Sequence, residues 1–276
     1  MELTQKALAL DDTLPWAYAV LGWIYLYKQQ PEQALAAAEQ AIALQPNNAD
    51  SYATQSEILR AAGRPEEALR SIEKAMRLNP RPPGQYLLAL SRAYNWAGRY
   101  AEAIAVLKTQ LLRDPQSGPR SMWSYLALAN AYREQWAAQL SQDPETLAQA
   151  LAAVQRAIGI LDTASDNHSA LGYVYLWQQQ YEPALAAMER AIALEPNEAR
   201  NAVSNYAGLA EVLSRMGRAE EALGAAEQAL RLQPATGGVD AHLASVGKAY
   251  AVAGRDRKST RLNSSHLKLS RMPSSA

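Results

Sequence analysis

The 276-residue chain contains no cysteine, which excludes disulfides, thiolate metal sites and cysteine nucleophiles. It contains no phenylalanine either, so its aromatic packing rests on 14 tyrosines and six tryptophans. Histidine is scarce: His168, His242 and His266 each stand alone, as packing or surface residues do. No H-E-x-x-H, P-loop or G-x-S-x-G motif occurs. The carboxylate pairs Glu66-Glu67 and Glu220-Glu221 open helices, where acids meet the helix dipole favourably; paired-acid catalysis needs one carboxyl desolvated. No catalytic residue, metal or cofactor is therefore expected.

Long apolar runs are also missing. The most apolar early run, "WAYAVLGWIYLY" from Trp16 to Tyr27, is about half as long as a bilayer-spanning helix, so membrane insertion is not expected. No basic segment with a small-residue cleavage site precedes it, and a cytoplasmic location is expected. Charge of one sign is lacking too, with 27 basic against 27 acidic residues. The last 21 residues hold five of the basic ones and one acid, so the rest carries 22 against 26, a net −4. A mildly acidic body gives no electrostatic reason to expect nucleic acid as a partner.

What the chain has in abundance is one recurring frame. Leu21-Gly22, Tyr25, Ala34, Ala38, Ala41 and Pro46 set it, and Gln55-Ser56, Leu59, Ala68, Ile72, Ala75 and Pro80 repeat it 34 residues later. Further copies start at Leu90-Ser91, Leu128-Ala129, Leu171-Gly172 and Leu209-Ala210, and a seventh at Val246-Gly247 with Tyr250. Apolar residues at helical spacing predict two amphipathic helices per copy. Gly63, Gly98, Gly217 and Gly254 fall between them, where a helix needs a left-handed terminator. Small residues such as Gly22, Ser56, Ala34 and Ala68 recur where paired helices approach closely. One copy cannot bury its own stripe, so neighbours must stack.

This frame resembles the tetratricopeptide repeat, with its period and its W-x2-L-G-x2-Y, A-x3-F, P pattern. The resemblance implies an all-α, right-handed superhelical solenoid of antiparallel helix pairs, truncated at both ends. The domain expectation is a remnant second helix at 1–12, an array at 13–255 of about six full repeats plus one first helix, and a tail at 256–276. Three departures stand out: the Phe position carries Ala38, Ile72, Leu107, Val154, Met188 or Ala226, nine extra residues enter the fourth copy, and four precede the sixth. The nine predict a lengthened hairpin or protruding loop. A larger repeat overlies the small one, for Leu21–Asn47 and Leu171–Asn197 match closely 150 residues apart.

Met1 starts inside a second helix and Arg255 is the last residue in register, so the chain reads as a fragment whose uncapped ends invite self-association. Residues 256–266 and 270–276 match the translation of one reading frame of a common sequencing-library adapter, which covers 18 of the 21 tail residues. The tail is thus expected to be non-native and disordered; by composition alone it reads as a basic, Ser-rich segment for acidic partners.

The resemblance also implies that first helices line a concave groove. The residues two before, two after and five after the motif's apolar position share one helical side. They are Ala19, Trp23, Leu26; Ala53, Glu57, Arg60; Leu88, Arg92, Asn95; Leu126, Asn130, Arg133; Ser169, Tyr173, Leu176; Ala207, Glu211, Ser214; and Ala244, Lys248, Ala251. The expected peptide-binding groove is Trp23, Arg60, Arg92, Asn95, Trp96, Asn130, Arg133, Tyr173 and Lys248, with guanidiniums for acidic side chains and amides for peptide backbone. The family's carboxylate clamp for chaperone tails is not implied, because Ala53, Leu88 and Leu126 stand where its lysine belongs. The phrasing "KALALDDTLPWAYAVLGWIYL" is similar to repeat regions attached to bacterial class III adenylate and guanylate cyclases and related signalling regulators. That similarity implies a docking arm of a larger signalling protein; the alternative is a stand-alone assembly scaffold or self-association module.

Overall fold

The structure, a computed structural model, describes residues 2–28, 30–113, 118–195, 199–232 and 247. Lys248, the seventh copy apart from Gly247, Gly254 and the 256–276 tail lie outside the described residues. Thirteen α-helices and no strand occur among the described residues. They belong to two compact units, residues 1–141 and 142–276.

The first unit comprises α1 (Glu2–Leu10), α2 (Pro15–Tyr27), α3 (Pro31–Leu44), α4 (Ala49–Ala61), α5 (Pro65–Leu78), α6 (Gly84–Trp96), α7 (Tyr100–Arg113) and α8 (Pro119–Ala137). Short connections make α2/α3, α4/α5 and α6/α7 antiparallel pairs. Each first helix, α2, α4 and α6, also touches the next first helix, whereas α3, α5 and α7 meet first helices only. First helices therefore make the inner, closer-packed layer of this unit. The second unit follows the same rule: α9 (Pro144–Ile160) packs on α10 (Ser165–Trp177), α10 pairs with α11 (Tyr181–Leu194), α12 (Ala199–Arg215) pairs with α13 (Ala219–Leu232), and α10 touches α12.

Alanine makes this closeness practicable. Ala34, Ala68, Ala103, Ala150, Ala184 and Ala222 are all fully buried, each at the first small position of a second helix, where a larger side chain would hold the pair apart. Bulk enters between the Ala rows. Ile58, Ile72, Leu107, Val154 and Met188 have almost no exposure, and full burial of one such side chain contributes about 1.5–3 kcal/mol.

The turns confirm three of the predicted glycines. Gly63, Gly98 and Gly217 have φ of 75°, 74° and 76°. Beyond each, the next N–H reaches back to close the helix end: Arg64 to the carbonyl of Leu59 at 2.9 Å, Arg99 to Tyr94 at 2.8 Å and Arg218 to Leu213 at 2.9 Å. This six-to-one bond satisfies a carbonyl that the last turn leaves open. Two further turns use the same bond with glutamine in the left-handed position, Gln139 at φ 58° and Gln179 at φ 59°. No glycine marked them in the sequence.

For the nine extra residues of the fourth copy the sequence allowed a lengthened hairpin or a protruding loop, and most of them become helix. The second helix α9 starts six residues before its Ala150, against three before Ala34 in α3, and α8 likewise runs past its counterpart's end; the 138–143 connection is only twice the 28–30 one. Helix extension satisfies backbone polar groups that a long loop would leave to water. The four residues before the sixth copy likewise lengthen α12, which has 17 residues against 13 in α10.

Candidate functional site

On α4 and α6 the sequence places two arginines among groove positions, and the structure shows where their charge goes. Arg60 forms two hydrogen bonds to Glu57 Oε2, from Nε at 3.1 Å and Nη2 at 2.9 Å. Arg92 Nη1 lies 3.7 Å from the other carboxylate oxygen, Glu57 Oε1. One carboxylate of α4 thus serves a guanidinium on its own helix and one on the next first helix, α6. Glu57 is buried, so the pairing acts in a medium where charge is poorly screened. The Arg60 guanidinium also lies 5.8 Å from the centroid of the Trp96 ring, within cation–π range, and Trp96 is 57% exposed. Two guanidiniums thus meet at one carboxylate beside an open aromatic face.

Helix α8 packs on α6 and carries Asn130 and Arg133, both half-buried. Arg133 Nη2 bonds Glu134 Oε1 at 2.6 Å. On α6, Asn95 Oδ1 is buried with no hydrogen-bond partner among the described residues. The structure therefore brings Arg60, Arg92 and Trp96 together on α4 and α6, and α6 adjoins the helix that holds Asn130 and Arg133. Tyr173 belongs to the second unit, where it packs on the core of α10–α13; Trp23 lies in a separate apolar stripe on α2; Lys248 lies outside the described residues. Several positions on the predicted groove side are stacked into the array instead of lining it: Leu126, Ser169, Leu176 and Ala207 are buried. Glu57 was legible only as a groove position, since the sequence does not say which cation a carboxylate meets.

On the opposite layer, α3 and α5 flank an open cleft of about 250 Å³ floored by α4, with Glu39, Tyr52, Arg64, Glu67, Arg70 and Lys74 among its lining. One pair of its charges closes on itself. Arg64 grips Glu67 with two bonds at 2.5 and 2.6 Å, and Lys74 lies 6.0 Å from the Tyr52 ring centroid. The same Arg-x-x-Glu clasp recurs at Arg99–Glu102 and Arg218–Glu221. In each, hydrogen bonding to the arginine holds the carboxyl below the usual glutamate range. Farther in, the Tyr86 hydroxyl donates to Asp50 Oδ1 at 2.6 Å, and burial, reinforced by that carboxylate, raises its pKa. Such groups fasten α4 to α6.

Among the described residues no three His, Asp or Glu side chains converge as a metal site, and no helix is long and apolar enough to cross a membrane.

Family models described as tetratricopeptide repeat match residues 15–48, 37–70, 59–122, 165–198 and 203–236. No curated protein matches the chain in sequence. Among solved structures, TTC0263, a thermophilic tetratricopeptide repeat protein of Thermus thermophilus, is 24% identical with a TM-score of 0.61, over 77% of this chain and 99% of its own. PilW, a type IV pilus biogenesis factor, is 17% identical with a TM-score of 0.59, over 78% and 91%. The human IFIT1 dimer with PPP-AAAA is 15% identical with a TM-score of 0.70, over 98% and 68%. At these identities the likeness is one of fold.

Proposed function

The chain is built of tetratricopeptide repeats, and from that premise we propose that it is a non-catalytic scaffold whose first-helix layer holds an extended, acidic peptide segment of a partner protein. The observation that supports this reading is the cluster on α4 and α6, where Arg60 and Arg92 share Glu57 beside the exposed ring of Trp96. A carboxylate arriving there meets a guanidinium plane that Glu57 holds preoriented. Trp96 offers apolar area next to it, the aromatic-plus-arginine mixture that dominates binding energy at protein interfaces. Asn130 and Arg133 on α8 extend the same side for peptide backbone and a second acid. Tetratricopeptide repeat proteins are generally non-catalytic partners of other proteins, which fits the absence of any motif for chemistry in the sequence.

The test is peptide selection on the chain followed by fluorescence anisotropy on the selected sequences. The expected pool is rich in Asp and Glu, and Arg92→Ala with Arg133→Ala weakens binding about tenfold or more without loss of helical circular dichroism. Unchanged affinity sinks the assignment.

On the same reading the array is a cytoplasmic docking arm of a larger bacterial signalling protein of the cyclase-associated kind, and residues 256–276 carry no function. A long read of source DNA across the codons for Met1 and Arg255 decides both points. A cyclase-coding region upstream upholds the first, and chromosomal codons for the tail overturn the second.

A further inference from the structure

In the second helices α3, α7, α9, α11 and α13 the position two beyond the first small residue is itself small: Ala36, Ala105, Ala152, Ala186 and Gly224. Helix α5 has Arg70 there. One residue further, where the others carry Ala37, Val106, Ala153, Ala187 and Ala225, α5 has Ser71. Its partner helix α4 departs as well, with Gln55 at the position of Leu21, Leu90, Leu128, Leu171 and Leu209. The other copies pack without these three polar residues, and the structure gathers all three on the cleft between α3 and α5. Ser71 is buried, and its hydroxyl lies 2.7 Å from Gln55 Oε1 and 3.0 Å from the Tyr52 carbonyl oxygen. With its oxygen engaged, Gln55 keeps its N–H groups for the cleft. Arg70 and Glu39 are exposed and form no ion pair among the described residues.

We propose that this cleft docks an acidic side chain of a partner protein together with an apolar neighbour in that partner's sequence. Arg70, Lys74 and the Gln55 amide line it as donors, and Leu35 and Leu59 lie beside them as apolar surface. A carboxylate accepts from charged donors more strongly than a neutral group does. Arg64 is committed to Glu67, so Arg70 is the guanidinium left for the ligand. Size points the same way: about 250 Å³ is less than the roughly 300–1,000 Å³ of a small-molecule site and suits one or two side chains. Glu39 on the α3 wall repels a second carboxylate, which distinguishes this cleft from a site for a run of acids. It lies on the layer opposite Arg60 and Arg92, so this inference does not rest on the peptide-binding reading.

Amide chemical shifts of the full 276-residue chain, titrated with acetyl-Gly-Leu-Glu-Gly-amide and with the same peptide carrying Gln for Glu, test it. Saturable shifts are expected around Gln55, Arg70 and Ser71 with a Kd of about 1 mM, and the Gln peptide should bind about tenfold more weakly. Gln55→Leu with Arg70→Ala and Ser71→Ala returns the residue types of the other copies. That chain should lose the shifts yet keep its stability in urea unfolding, because every other copy packs with those types. Glu39→Gln should tighten binding about threefold by removing like charge, a gain that a merely structural set of polar residues would not give. Shifts confined to the Arg60 and Arg92 side of α4 and α6 overturn this inference and leave the peptide-binding reading standing. No shift at ~10 mM peptide overturns it outright, and so does equal binding of the Gln peptide or binding that survives the triple substitution.

Discussion

The duplicated blocks, Leu21–Asn47 and Leu171–Asn197, build the same helix pair to the residue. Helices α2 and α3 run Pro15–Tyr27 and Pro31–Leu44, and α10 and α11 run Ser165–Trp177 and Tyr181–Leu194, each bound shifted by 150. Their cores differ. In the first block the second helix carries only Ala38, and Ile58 of α4 fills the space, its Cδ1 lying 3.0 Å from where a Cβ on Gly22 would be. In the second block Met188 supplies the volume and presses on both Gly172 and Gly208, while Val212 stands where Ile58 does. Exposure differs as well. Ala19 and Val20 of α2 are half-buried and exposed where Ser169 and Ala170 of α10 are buried, and Trp23 is exposed where Tyr173 is half-buried. A repeat thus specifies its own hairpin, but volume and coverage are shared with the neighbouring copy.

The largest effect should come from emptying the second block's core. Met188→Ala is expected to cost about 2–5 kcal/mol in urea unfolding, because neither Gly172 nor Gly208 can close the gap. Overfilling the first block is next. Ala38→Met should cost about 1–3 kcal/mol, and Ile58→Val in the same chain should recover part of it; strict additivity of the two would contradict the shared-volume account. A smaller change tests the turns. Gln179→Gly should stabilise by up to about 1 kcal/mol, by relieving a left-handed residue that carries a Cβ, and Gly63→Ala should destabilise by a similar amount.

The smallest effect should be alike in both halves. Glu67 and Glu221 are held at lowered pKa by Arg64 and Arg218, so the folded state binds their protons less readily than the unfolded chain does. Their contribution is present above the unfolded carboxylate pKa, about 4.3, and is lost as pH falls through the lower folded value. Arg64→Ala and Arg218→Ala should each flatten the acid limb of a pH–stability curve slightly and equally, since both clasps are exposed and solvent-screened. A large or unequal effect would show the outer surfaces to differ as the cores do.

Much of this was legible in the residues. Gly63, Gly98 and Gly217 marked three left-handed turns because a glycine there has no Cβ to strain. Gln139 and Gln179 escaped notice, since an ordinary residue in that conformation leaves no trace in composition. The groove was read as basic from Arg60, Arg92 and Arg133. The carboxylate that organises two of them, Glu57, was visible as a position but not as a partner, because its second contact lies on the next first helix, 35 residues on.

By itself the sequence determined the all-helical class, the helix pairs and three of their left-handed turns. Those follow from periodicity, small residues and chain stereochemistry, which act within some 34 residues. The tertiary structure alone decided which copy supplies the volume at each interface, where the groove's charges close on one another, and which aromatic residues remain in water. Each depends on side chains brought together from different copies, and a local pattern carries no record of its neighbour.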